Sequence, residues 1–219
     1  QMDDRVGDAL RVAIWALTST RLHGADAKRA LTDFRTVGYD CVESHGVRGR
    51  RHAEIAGVAL CVDPTRIAFV SGHFVSGRKY RVLPTGKGRM IMAQLRHVGA
   101  ATADADFTVI VAYMPVRQLQ AGHGGFATAG ELLAYTNAVW RSLAYSAWPI
   151  AAHGRILVVG DLNAEFWRSL RRYGRTPTAA DARIRHLTDM ARLQRIHPEN
   201  AEGWTHTQLI HGRLVRSTI

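Results

Sequence analysis

The apolar run Ile156-Leu157-Val158-Val159 stops at Gly160, and an aspartate and an asparagine follow two apart in Gly160-Asp161-Leu162-Asn163. Residues i and i+2 of a strand share a face, so Asp161 and Asn163 converge if the extended backbone persists. A carboxylate that orients water, beside an amide that donates to a phosphate oxygen, suits hydrolysis of a phosphodiester. The same residues also read as a plain turn, with the Asp161 side chain accepting a backbone N–H in an Asx hydrogen bond. Both readings stand on the spacing alone.

Charge points toward an anionic partner. Twenty-nine Lys and Arg against eighteen Asp and Glu give +11 over 219 residues. Arginine, suited to bidentate phosphate contacts, dominates. A basic chain fits nucleic acid first and an anionic membrane surface second. A solvated basic surface is the plainer alternative. Hydrophobic residues at 47% and charged residues at 21% are an ordinary globular mix, which excludes disorder, collagen and coiled coil for the whole chain.

Two cysteines, Cys41 and Cys61, lie in apolar strand-like runs with no CxxC pair. That spacing supports neither a disulfide scaffold nor a cysteine zinc site, and a reducing, intracellular compartment fits best. No apolar run approaches the ~18 residues of a membrane span, and the polar start Gln1-Met2-Asp3-Asp4 shows no secretory signal.

The elements that must position these residues follow from hydropathy. Strands are expected at 10–17, 39–42, 58–62, 66–70, 80–83, 90–95, 107–113 and 156–159. The run 107–113, Phe-Thr-Val-Ile-Val-Ala-Tyr, suits a strand buried on both faces. Helices are expected at 25–34, 129–144 and 180–194. Thr128 with Glu131, and Thr178 with Asp181, form their cap patterns. Two short strands around His211-Gly212 close the chain. Alternating strands and helices without an internal repeat predict one α/β domain over 1–219, with sheets face to face and helices outside.

The ordered motifs resemble the endonuclease/exonuclease/phosphatase superfamily, and within it the AP-endonuclease-like endonuclease domains of non-LTR retrotransposons. Gly160-Asp161-Leu162-Asn163 is similar to that family's Gly-Asp-Phe-Asn, and Tyr113-Met114-Pro115 to its Tyr-x-Pro. Glu43, in Tyr39-Asp40-Cys41-Val42-Glu43, matches its early acidic metal ligand. Gly57-Val58-Ala59, Gly88-Arg89-Met90-Ile91 and the opening strand with Trp15 follow in family order and cover nearly the whole chain.

The resemblance implies a four-layer α/β sandwich of two packed mixed sheets flanked by helices. It also implies Mg²⁺-dependent (or Mn²⁺-dependent) nicking of target DNA in a nuclear retrotransposon polyprotein that carries a reverse transcriptase. Carried over, Glu43 ligates the metal, Asp161 orients or deprotonates water, Asn163 holds a phosphate oxygen and Tyr113 contacts the scissile phosphate. One carboxylate plus waters and phosphate oxygens is an adequate Mg²⁺ anchor. Arg48, Arg50, Arg51, Arg168, Arg171, Arg172 and Arg175 are candidate phosphate contacts on duplex DNA, with RNA second. Each residue keeps a bland alternative: Glu43 as a solvated loop acid, Tyr113 as a core aromatic, each arginine as a solvated side chain. His45 reads as a surface or loop histidine, and His206 as structural.

Two departures from the pattern matter. Where the family has Asn after the strand-one Trp, this chain has Ala16, which can neither coordinate nor donate. Ser217-Thr218-Ile219 looks like the start of the family's Ile-Asp motif, so the domain is expected to lack its C-terminal strands and a later Asp-His pair. Losing such groups costs about 10²–10⁴ each in rate. The alternative function is therefore a catalytically degenerate or incomplete domain serving as a basic nucleic-acid-binding or assembly module. A phosphatase or phospholipase of the same superfamily is a third reading, which the basicity disfavours.

Overall fold

The computed structural model describes residues 12–18, 24–45, 47–48, 54–70, 80–82, 88–102, 105–115, 128–163, 179–193, 206–210 and 213–217. The first sheet is built from β1 (Ile14–Thr18), β2 (Asp40–Ser44) and β5 (Val58–Val62), in the order β1-β5-β2 and antiparallel throughout. The second runs β10 (Arg155–Asp161), β9 (Phe107–Tyr113), β8 (Met90–His97), β6 (Ile67–Phe69), with β7 (Tyr80–Val82) also on β8. Among the described strands only β9 and β10 run parallel, which makes this second sheet mixed. Two further pairs stand apart: β3 (Val47–Arg48) with β4 (Glu54–Ile55), and β11 (His206–Ile210) with β12 (Arg213–Ser217).

Three apolar layers hold the sheets and helices together. Helix α1 (Gly24–Thr36) lays Leu31 and Phe34 on the outer face of the first sheet, against Cys41, Ala59 and Cys61. Between the sheets, Val42, Val58 and Leu60 meet Ile91, Val109 and Val111. Helices α2 (Ala129–His153) and α3 (Ala179–Met190) cover the outer face of the second sheet, where Trp140, Leu143 and Leu187 pack on Met90, Ile110 and Ala112. The order helix, sheet, sheet, helix is the expected four-layer sandwich.

Strand β9 is buried as its composition requires: Val109 through Ala112 are fully shielded. Helix α2 runs nine residues beyond the expected end at 144, through Pro149. Proline removes one helical N–H, but Ala147, Ile150 and Ala151 still pack into the core, and that burial outweighs the lost bond. At its start the Thr128 hydroxyl accepts the Glu131 N–H at 3.1 Å, the first half of the expected capping box. Helix α3 stops at Met190, four residues short of expectation, where Ala191 and Arg192 turn and Arg192 takes a positive φ of 51°. The cap pair Thr178 and Asp181 lies outside the described side chains. No helix among the described residues is long and apolar enough to cross a membrane.

Candidate phosphodiester site

The site forms where β9 and β10 end. The parallel register sets Asp161 directly opposite Tyr113, one step beyond Gly160 and Ala112. Gly160 has φ +127°, and a Cβ there would lie 2.1 Å from the Ala112 carbonyl oxygen, so only glycine lets β10 come this close.

Strand geometry does not persist past Asp161. Asn163 takes φ 48°, a left-handed conformation that asparagine tolerates. Its N–H donates to Asp161 Oδ1 at 2.9 Å, and its side-chain Nδ2 donates to the Met114 carbonyl at 2.8 Å. The Met114 N–H in turn donates to the Asp161 carbonyl at 2.9 Å. Asp161 and Asn163 therefore converge through an Asx turn, not through alternation along a strand. One Nδ2 hydrogen is committed to Met114; the amide carries a second.

Tyr113 is held from below by a residue that the sequence marked only as the head of a strand. Arg89 is 4% exposed, and its guanidinium lies 5.3 Å from the Tyr113 ring centre and 5.8 Å from that of Tyr135. Its Nε donates to the Tyr135 hydroxyl at 3.0 Å and one Nη to the Tyr113 carbonyl at 3.2 Å. The Tyr113 N–H returns a bond to the Arg89 carbonyl at 2.8 Å. An arginine directly before an apolar strand was the available signal; Tyr135, inside a helical stripe, gave none.

Glu43 lies on the other face of its sheet. Adjacent β-residues face opposite sides, and the register of the first sheet sorts them row by row. Glu43 pairs with Ala59, which pairs with Leu17, and both of those belong to the cluster beneath α1. Val42 pairs with Leu60 and Leu60 with Ala16, all on the inter-sheet face that Tyr113 also joins. Glu43 thus stands on the side of β2 turned away from Tyr113. The inward neighbour is Ser44, 4% exposed, in a row with Val58 and Thr18. Its hydroxyl accepts the Gly88 N–H at 2.7 Å.

The outer face shows what surrounds Glu43 instead. Cys41 and Cys61 are cross-strand partners, both free and buried. A hydrogen bond from Cys61 pulls the Cys41 thiol below its ordinary value against burial, and Arg35 helps while Asp40 and Glu43 oppose. The same bond, with burial, pushes Cys61 far up, again with Glu43 adding to the rise. The Glu43 carboxylate is 17% exposed and lies 3.8 Å from His45 Nδ1.

A divalent metal would need hard oxygen donors gathered at one point. Asp161 is such a donor, with one oxygen already accepting the Asn163 N–H. Ala16 offers nothing, and Glu43 is on the far face. Among the described residues no three His, Cys, Asp or Glu side chains come together. The described residues thus do not complete a Mg²⁺ or Mn²⁺ site. Arg48 lies on β3 with its side chain outside the described residues. Arg50, Arg51, Arg168, Arg171, Arg172 and Arg175 also lie outside them.

Comparison with known proteins supports the architecture. No family model and no curated protein matches the chain. Among solved structures, the AP endonuclease LMAP from Leishmania major superposes with a TM-score of 0.52 at 13% identity, over 85% of this chain and 60% of that one. The likeness is one of fold, and this chain spans under two thirds of that protein's length.

Proposed function

We propose that this domain engages the phosphodiester backbone of DNA and cleaves it as an endonuclease. The observation that carries the reading is the meeting of Asp161, Asn163 and Tyr113 at the ends of two parallel strands. On this reading the free Asp161 oxygen orients an attacking water and takes its proton. The second Asn163 amide hydrogen and the Tyr113 phenol donate to phosphate oxygens as charge builds there. Arg89 fixes Tyr113 for that task. The arginines at 48–51 and 168–175 hold the duplex by its phosphates. A likeness in fold to an AP endonuclease supports DNA as the substrate class. The ordered motifs alone support the finer setting: target nicking in the nucleus within a retrotransposon polyprotein beside a reverse transcriptase.

A bound Mg²⁺ or Mn²⁺ would supply charge neutralisation on the phosphoryl oxygens. The described donors do not complete its site, so no step is assigned to it.

The outward turn of Glu43 and the methyl of Ala16 favour a second reading, in which the domain binds nucleic acid without cleaving it. Supercoiled plasmid nicking in Mg²⁺ and Mn²⁺, run beside duplex binding, separates the two. Endonuclease function requires nicking by the native protein that disappears in Asp161→Asn while binding persists. Salt-sensitive binding with no nicking by either protein establishes the second reading, and the absence of both activities overturns the pair.

A further inference from the structure

We infer that Ser44, not Glu43, is the residue through which β2 addresses the Asp161–Tyr113 site, and that Glu43 serves the opposite face of the sheet. The inference deepens the site on which the proposed function rests.

Three sets of observations carry it. Every row of the first sheet alternates without a slip. Ala16, Leu60 and Val42 face the second sheet; Leu17 and Ala59, the row of Glu43, face α1; Val58, between Thr18 and Ser44, faces the second sheet again. A one-residue displacement along a strand exchanges faces completely, so Glu43 and Ser44 cannot both look inward.

Ser44 is also wired to the site and Glu43 is not. The Ser44 hydroxyl takes the Gly88 N–H across the two sheets. Gly57 N–H joins the same turn by donating to the Gly88 carbonyl at 2.5 Å. The next residue, Arg89, accepts the Tyr113 N–H and stacks its guanidinium on the Tyr113 ring. Tyr113 is the register partner of Asp161. A short chain of hydrogen bonds therefore runs from β2 through the Gly88-Arg89 turn to Tyr113, the register partner of Asp161, and it starts at residue 44.

Glu43, finally, has work on its own side. Its row runs through Ala59 to Leu17 beneath α1, and His45 Nδ1 lies 3.8 Å from its carboxylate. As the chain stands, β2 gives the site a hydroxyl already occupied by Gly88, and no carboxylate. A carboxylate at 44, or at 18 in the same row, would be the one that faces the site.

The test titrates Mn²⁺ alone into the whole chain, without DNA, and reads bound metal by electron paramagnetic resonance. Glu43→Gln should leave Mn²⁺ affinity within twofold of the native protein. Ser44→Glu should tighten it at least tenfold. Because that variant also disturbs the Gly88 bond, Thr18→Asp places a carboxylate in the same row with Ser44 intact and should tighten Mn²⁺ as well. Loss of Mn²⁺ affinity by tenfold or more in Glu43→Gln overturns the inference, as does a Thr18→Asp and Ser44→Glu pair that both fold and bind no better than native. Metal affinity is read apart from cleavage, so failure here and failure of the endonuclease reading are told apart.

Discussion

Asp161 and Tyr113 are register partners at the ends of two parallel strands, and Met114 and Asn163 lock that end with backbone and side-chain bonds. The carboxylate and the phenol are thus set by a ladder rather than by a loop. A ladder is stiff, so substitutions at this end should separate cleanly into those that touch chemistry and those that touch the scaffold.

Asp161→Asn keeps the shape and one acceptor oxygen but loses the charge. Nicking should fall by about 10²–10⁴-fold while duplex affinity stays within a few fold. Plasmid relaxation and fluorescence anisotropy, on the same preparations, check the two halves.

Gly160→Ala should act on the scaffold. The added methyl would overlap the Ala112 carbonyl at a positive φ. Strain plus overpacking costs more than about 2 kcal/mol, read as a lower urea midpoint with an unchanged slope.

Asn163 offers a division between backbone and side chain. Glycine accepts its φ of 48°, so Asn163→Gly should fold with a loss of about 1 kcal/mol for the Met114 bond. Asn163→Ala adds left-handed strain of about 1–2 kcal/mol on top. Thermal unfolding of the pair should rank glycine above alanine.

Arg89→Lys keeps a buried charge but loses the fork that reaches both Tyr135 and Tyr113. Stability should drop by about 1–3 kcal/mol, with Tyr135→Phe falling in the same range because a charged donor loses its acceptor. Equal effects that fail to add in the double variant would mark one shared network; simple additivity would refute it.

Duplex binding should weaken steeply with salt. If the seven candidate arginines each meet a phosphate, affinity falls about 10³-fold or more between about 50 and 200 mM salt. A flat response would remove the arginines from the interface.

Much of the fold is legible in the residues. The run 107–113 is apolar on both faces and became the central strand, and the spacing at 25–34 became α1 with only its ends moved. The Asx turn at Asp161 follows from an aspartate two before an asparagine, both of which favour turns. Arg89 was legible as a strand head but not as the support of Tyr113, because its partner Tyr135 comes from a helix 46 residues away.

The strands, the helices, the Gly160 stop and the basic charge could be read from residue order, because these depend on neighbours along the chain. Residue order left open which of the adjacent residues Glu43 and Ser44 faces Tyr113. Composition cannot settle that: the strand repeat is two, and Asp40 to Ser44 alternates weakly. Only pairing with β5, whose Val58 and Leu60 are committed to the inter-sheet core and whose Ala59 and Cys61 lie beneath α1, turned Ser44 inward and Glu43 away.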